Sequence, residues 1–261
     1  PPPLLLGPLL GYYISHKKKY FEMSAENTKL KHVPDDALKE IVMIQNRIEQ
    51  LGVKEKSQTD FIEYVKHVWD GFIEGEHHKL FAEKLQRVSQ GKCKRLIVNM
   101  PPRHTKSEFA SVFFPSWMMG LNPDMKIMQT THTAELSARF GRKVRNLMDT
   151  DEYKQIFDKV SLSADSKSAG RWETNKGGEY FAAGVGGAIT GRGADLLIID
   201  DPHSEQDALS PNALESAYEW YTSGPRQRLQ PGGIIVIVMT RWSTLDLTEK
   251  LIKRMSEEHA D

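Results

Sequence analysis

The sequence of 261 residues is poor in several features that would point to particular classes of protein. Cys93 is its only cysteine, so an intrachain disulfide is impossible and a reducing compartment fits best. Thirty-five basic residues balance thirty-five acidic ones, so any surface that binds nucleic acid has to be local. No cluster of cysteine and acidic ligands accompanies the histidines, which argues against a zinc site.

The first 22 residues lack the order of a secretion signal. Their apolar stretch precedes the lysines, whereas a signal peptide carries its positive charge first. The stretch is also too short and too interrupted by proline and glycine to span a bilayer. We therefore expect residues 1–22 to be a disordered extension before Met23, with a native N-terminal arm as the alternative.

The remainder of the chain divides by its hydrophobic pattern. Residues 23–94 carry apolar side chains at helical spacing, which predicts an N-terminal helical region. In residues 95–243, short apolar runs alternate with amphipathic segments, which predicts a mostly parallel sheet with helices on both faces. Residues 244–261 predict a last helix, which we interpret as a lid or linker. The predicted fold class is α/β.

The stretch VNMPPRHTKSEF, residues 98–109, contains the lysine–serine pair of a phosphate-binding loop. Met100 and Thr105 stand where the G-x-x-x-x-G-K-[ST] pattern has glycines, so the pair alone means little. Its place between a strand and a helix puts it at the carboxyl end of a sheet, where ligands bind in such folds. We expect Lys106 to reach the β- and γ-phosphates of ATP and Ser107 to coordinate Mg²⁺.

Two later strand ends support a nucleotide site. The run LLIIDDP ends in two carboxylates, and we expect Asp200 to hold the magnesium shell and Asp201 to orient or deprotonate the attacking water. A simple turn is the alternative, because aspartate and proline favour turns. The next strand ends in Thr240 and Arg241, which could sense the γ-phosphate and pass the change to the following segment. Ordinary strand termination is the alternative there.

Three motifs in this order resemble the large terminase subunit of tailed bacteriophages. They are the segments 74–108, 171–202 and VIVMTRWS at 236–243, within a resemblance that runs from about Phe72 to Ser243. The resemblance implies a P-loop NTPase fold of the ASCE/RecA-like class. It also implies a motor ATPase that uses ATP and Mg²⁺ to move double-stranded DNA into a procapsid. The implied partners are the portal protein and the small terminase subunit, in the cytoplasm of the infected bacterium and without a membrane.

The resemblance also implies roles for individual residues. Arg192 looks like the arginine that a ring motor inserts into the site of a neighbouring subunit, with Arg171, Arg241 or a plain surface cation as alternatives. His77 and His78 resemble a stretch near the adenine, although packing or helix capping would explain them equally well. The implied nucleotide-binding residues of the loop are Pro102, Arg103, His104, Thr105, Lys106, Ser107 and Glu108.

The sequence departs from the family at three points. The family loop often reads Pro-Pro-Arg-His-Gly-Lys-Ser, so Thr105 has to adopt a backbone conformation that glycine reaches more easily. Asp201 stands where many packaging motors have glutamate. The C-terminal nuclease domain of the family has no counterpart before Asp261, so we expect ATP hydrolysis without DNA cleavage from this chain.

The surface that contacts DNA is less determined. Two groups of cations could contact phosphates without reading sequence, which suits a motor that accepts any DNA. A solvated surface is the alternative for each group. The groups are Arg139, Arg142 and Lys143 on one predicted helix, and Arg226 and Arg228 in the segment GPRQRLQPGG.

Two other functions compete with a packaging motor. A helicase-like ATPase would remodel nucleic acid and predicts a second RecA-like domain or strand separation. A nucleotide-binding scaffold without turnover is suggested by Thr105 and Asp201 and predicts ATP binding alone. A motor additionally requires a homo-oligomeric ring, while the isolated chain could be a monomer.

Overall fold

The computed structural model describes residues 35–164, 168–189 and 191–258. The extension predicted for residues 1–22 lies outside the described residues. The chain divides into two units, residues 1–50 and 51–261. Of the first unit, the described residues 35–50 are helical. Within the described part of the chain, no helix combines the length and the apolar composition that crossing a membrane requires.

The described helices fall where the sequence pattern alternates with apolar runs. A single helical stretch follows the lysine–serine loop. It begins with an α-helical turn, Lys106–Glu108, continues as a π-helical segment, Phe109–Phe113, and ends as an α-helix, Phe114–Leu121. The α-helices are α1 (Asp35–Thr59), α2 (Phe61–Val68), α3 (Glu76–Ser89), α4 (Lys106–Glu108), α5 (Phe114–Leu121), α6 (Ala134–Met148), α7 (Asp151–Ile156), α8 (Pro211–Ser223) and α9 (Leu247–Glu258).

Six strands form one sheet in the spatial order β1-β6-β5-β2-β4-β3. All neighbouring pairs are parallel except β3 and β4, which form an antiparallel pair at the edge. The strands are β1 (Arg95–Asn99), β2 (Lys126–Thr131), β3 (Arg171–Glu173), β4 (Glu179–Gly184), β5 (Ala194–Asp200) and β6 (Leu229–Met239). The predicted α/β class with a mostly parallel sheet is confirmed.

The sheet of the second unit is buried on both faces. Along β5, Leu196 and Ile198 join the core cluster that includes residues of α2, α3, α5 and α6. Leu197 and Ile199 point to the opposite cluster, with Tyr221 of α8 and the first residue of α9. Because side chains alternate along a strand, such a strand needs apolar residues at every position, which explains the unbroken run LLII.

The order of the strands sets the place of the site. Strand β6 lies between β1, which precedes the lysine–serine loop, and β5, which ends in the two aspartates. Asn99 pairs with Met239, and Asp200 pairs with Val238, so these three strands end at one edge. Strand β6 is therefore inserted between the loop strand and the acidic strand at this edge of the sheet.

The structure also differs from the sequence interpretation in local detail. The segment GPRQRLQPGG contains a 3₁₀ turn over Pro225–Arg228, and β6 begins directly after this turn at Leu229. The short strand β3 and the helix α7 were not predicted, because elements of three and six residues show too little periodicity.

Candidate active site

The loop between β1 and α4 has an unusual backbone. Arg103 and Thr105 have φ of 64° and 60°, in the left-handed region that glycine occupies at least cost. Asp201, at the end of β5, has φ of 42°. These three are the non-glycine residues with positive φ in the part of the chain that the structure describes. Strain of this kind costs about 1–3 kcal/mol per residue and concentrates at functional sites.

Lys106 turns back toward the acidic strand. Its ammonium nitrogen Nζ lies 2.8 Å from Oδ2 of Asp201, and its side chain is only 7% exposed. The Asp201 carboxylate is 28% exposed, so the ion pair is partly accessible to solvent. A buried ammonium needs an anionic partner because leaving water is costly for an ion. In the structure Asp201 is that partner.

Asp200 is the centre of a buried hydrogen-bond chain. Ser107 donates to its Oδ1 at 3.0 Å, and Ser111 donates to its Oδ2 at 2.7 Å. Gln129 of β2 then donates to the Ser111 hydroxyl at 3.0 Å. The two predicted magnesium ligands are thus brought together. Sequence reasoning missed Ser111 and Gln129, although the spacing of four residues between Ser107 and Ser111 places both on one helix face.

The environment of Asp200 changes its acidity. Burial raises the pKa of Asp200 from its usual 3.8 to about 7, and the negative charge of Asp201 adds to the effect. The hydrogen bonds from Ser111 and Ser107 and the charge of Lys106 act in the opposite direction. A carboxylate that is costly to ionise without a partner is well suited to receive a cation, because the cation would stabilise the ionised form.

The donor set at this position fits Mg²⁺. A serine hydroxyl and a carboxylate are hard oxygen ligands, and magnesium is usually held by one or two carboxylates together with substrate phosphates and water. Among the described residues, no group of three or more histidine, cysteine and acidic side chains could hold a metal by itself. An ion at Ser107 and Asp200 would therefore depend on phosphate oxygens for the rest of its coordination.

Thr240 connects the acidic strand to the loop strand. Its backbone N–H donates to Oδ1 of Asp201 at 2.8 Å, and its hydroxyl donates to the carbonyl of Met100 at 3.4 Å. His132, which follows β2, donates its backbone N–H to the carbonyl of Asp201 at 3.2 Å. Backbone contacts from two neighbouring strand ends therefore hold Asp201 in its positive-φ conformation.

Arg241 points away from the loop and toward the last helix. Its Nε donates to Asp246 at 2.9 Å and its guanidinium also contacts Glu249 at 2.8 Å. Asp246 is fully buried and accepts further backbone N–H groups around the start of α9. His203, two residues after Asp201, accepts the N–H of Leu247 at 3.1 Å. The start of α9 is thus tied to two strand ends of the site.

The histidine pair lies beside the loop. His78 is buried and its Nε2 lies 2.7 Å from the hydroxyl of Thr105, so it contacts a residue of the loop directly. The ring of His77 lies against His78 at 3.8 Å and near His104 at 5.6 Å. His78 also accepts the backbone N–H of Gly75 at 2.9 Å at the start of α3, as the helix-capping alternative predicts. A contact of either histidine with adenine stays a prediction.

The other predicted loop residues lie at the surface. Pro102, Arg103 and His104 are exposed, and His104 Nδ1 donates to the carbonyl of Pro102 at 2.9 Å. Glu108 forms an ion pair with Lys143 of α6. The ammonium group of Lys143, one of the predicted DNA contacts, is therefore already paired with a carboxylate of the loop in this structure.

Arg192 and the lysine–serine loop lie at opposite ends of the strands of the sheet. Arg192 precedes β5, so it belongs to the amino end, whereas Lys106 and Asp200 lie at the carboxyl end. Its guanidinium lies 4.2 Å from the centre of the Phe181 ring and lines a cavity of about 310 Å³ with Arg171 and Lys126. Within one chain Arg192 and the loop are not brought together, so the predicted finger would have to act on a neighbouring copy.

The candidate DNA contacts do not form one surface. Arg139 and Arg142 are exposed on α6, the helix that follows β2 at the carboxyl end of the sheet. Arg226 and Arg228 immediately precede β6 and therefore lie at the amino end. A role in DNA binding stays a prediction for both groups.

Comparison with known proteins finds similarity to solved structures but not to families or curated proteins. No protein-family model and no curated protein matches the chain. The crystal structure of the HK97 bacteriophage large terminase is similar, with 12% sequence identity and a TM-score of 0.47. The similarity covers 72% of this chain and 38% of that one.

The raised pKa of Asp200 predicts a dependence of stability on pH. Between its usual pKa of 3.8 and the folded value of about 7, the folded protein keeps a proton that the unfolded chain has lost. The free energy of unfolding therefore falls as pH rises through this window, by on the order of 4 kcal/mol. Asp200→Asn should remove this fall, so that the variant becomes more stable than the parent at about pH 8.

Urea denaturation at a series of pH values, without magnesium, measures this effect. Asp149→Asn is the control, because Asp149 pairs with Lys154 at the surface. Equal pH slopes for the parent and Asp200→Asn would show that Asp200 is ionised throughout the window.

Proposed function

We propose that this chain hydrolyses ATP with Mg²⁺ and is the ATPase domain of a motor that packages viral DNA. The observation that carries the proposal is the meeting of Lys106 and Ser107 with Asp201 and Asp200, across the inserted strand β6. An ammonium, a hydroxyl and two carboxylates in this arrangement supply each of the groups that phosphoryl transfer to water requires.

Lys106 would exchange one anionic partner for another during the cycle. In the structure it pairs with Asp201 at 2.8 Å. The phosphates of ATP, which carry more negative charge, would attract the ammonium to the loop and leave Asp201 free. Asp201 would then accept a hydrogen bond from the attacking water and orient it toward the γ-phosphate.

The remaining groups would prepare the site for the metal and the phosphates. Ser107 and Asp200 would hold Mg²⁺, which neutralises the charge that develops on the phosphates. Ser111 keeps the Asp200 carboxylate oriented through its hydrogen bond of 2.7 Å. The free backbone N–H groups at the start of the helix that follows the loop would face the phosphates.

The assignment to DNA packaging rests on the three sequence motifs. A terminase-like motor would act on double-stranded DNA in the cytoplasm of an infected bacterium, as a ring on the portal and with a small terminase subunit. Thr240 contacts Asp201, and the next residue, Arg241, contacts Asp246 directly before α9. This path would transmit the state of the site to the next part of the protein. A scaffold that binds ATP without turnover is the second candidate, because Thr105 is strained and Asp201 is engaged by Lys106.

Asp201→Asn should change binding and turnover in opposite directions. Without the carboxylate, Lys106 has no competing anion, so the affinity for ATP should rise by about fivefold. Hydrolysis should fall by about 100-fold or more, because the group that orients water is lost. Calorimetric titration with ATP and steady-state phosphate release measure the two effects.

Asp149→Asn, in an exposed ion pair, is the matched control and should behave as the parent. Weaker ATP binding together with normal turnover in Asp201→Asn would contradict both roles. Binding without turnover in the parent, at every protein concentration, would favour the scaffold.

The activity per subunit should rise with protein concentration if an arginine acts between subunits. Arg192→Ala should keep the basal rate and lose the rise, because the side chain lies at the end of the sheet remote from its own loop. Phosphate release measured over a dilution series tests this expectation, with the exposed Arg87→Ala as control. A rise that persists in Arg192→Ala would exclude this residue as the finger.

A further inference from the structure

The backbone conformation of Thr105 is unfavourable for its residue type and is not explained by helix capping. Its φ of 60° and ψ of 13° place a β-branched residue in the left-handed region, which is unfavourable relative to glycine. Its hydroxyl also does not cap the helix that begins at Lys106. Strained residues persist when the surrounding structure determines their conformation, so a contact that holds Thr105 is required.

His78 supplies such a contact, and the direction of the hydrogen bond follows from its other nitrogen. The backbone N–H of Gly75 donates to Nδ1 of His78 at 2.9 Å, so Nδ1 carries a lone pair. In the neutral ring the hydrogen is then on Nε2, which donates to the Thr105 hydroxyl at 2.7 Å. The hydroxyl in turn donates to the carbonyl of His104 at 2.6 Å. Both hydrogen-bonding directions of Thr105 are occupied.

The imidazole ring is itself held in place. It stacks on Phe109 with ring centres 5.1 Å apart and planes inclined by 18°, and its edge meets Phe72 at 4.9 Å. His77 covers it at 3.8 Å. Burial is the main cause that lowers the pKa of His78, which favours the neutral ring that the hydrogen bonds require. A fixed ring at the start of α3 therefore reaches the last residue of the loop before Lys106.

We propose that His78 is a positioning residue for the phosphate loop, which acts through the Thr105 hydroxyl and replaces the conformational freedom of the missing glycine. The proposal rests on the proposed nucleotide site. It assigns His78 to the backbone that presents Lys106 and Ser107, and not to the adenine.

A double-mutant cycle tests this dependence. His78→Phe removes the donor and keeps a flat ring that can stack on Phe109, whereas Thr105→Gly gives the loop its usual residue. We expect His78→Phe to raise the Kd for magnesium ADP by about tenfold, a coupling typical of residues in one hydrogen-bond network. In the Thr105→Gly background the same change should alter the Kd by less than about twofold.

Rescue by Thr105→Gly distinguishes positioning from general damage to the fold. His67→Phe, on α2 and with no described hydrogen bond to its Nε2, is the matched control and should leave the Kd unchanged. Equal effects of His78→Phe in the two backgrounds would overturn the proposal, and so would an unchanged Kd in His78→Phe.

The urea midpoint of the same four proteins, measured without nucleotide, tests the positioning role of His78 independently of the proposed nucleotide site. If His78→Phe lowers the urea midpoint only when Thr105 is present, the result supports the positioning role of His78. Additive shifts of the midpoint overturn it. If no variant binds ADP, Thr105→Gly included, the proposed function fails and the role of His78 in nucleotide binding fails with it, whatever the midpoints show.

Discussion

The two hydrogen bonds that Asp200 accepts from Ser107 and Ser111 determine the rest of the site. They fix the helix after the loop against the end of β5, although β6 separates β5 from the strand that precedes the loop. Both serines lie on one helical stretch, and the π-helical segment from Phe109 to Phe113 includes the second of them. Such segments occur often at functional sites, since they re-aim side chains within a helix.

Backbone strain is concentrated at the same edge of the sheet. Arg103 and Thr105 of the loop and Asp201 after β5 all have positive φ. The contacts that compensate come from outside the loop. His78 holds Thr105 from the start of α3, and Thr240 and His132 hold Asp201 from neighbouring strand ends. The site is therefore determined by tertiary packing more than by its own sequence.

The same contacts connect the site to the last helix. Arg241 and His203 follow the strands that carry Thr240 and Asp201, and both contact the first turn of α9 or the residue before it. Thr248 also donates to Asn99, the last residue of β1, at 3.1 Å. A displacement of any of these strand ends would act directly on α9, which gives the proposed motor a short mechanical route.

The sequence alone determined the fold class and the central residues of the site. Short, β-branched apolar runs that alternate with amphipathic segments indicate buried parallel strands, and their polar ends identify Lys106, Ser107, Asp200 and Asp201 as candidates without knowledge of the sheet order. The tertiary structure decided which groups these residues meet. The pairing of Lys106 with Asp201, the raised pKa of Asp200 and the contact of His78 with Thr105 depend on distances between segments remote in sequence. Hydrophobic periodicity reports which face of an element is buried, and it does not encode which side chain lies opposite.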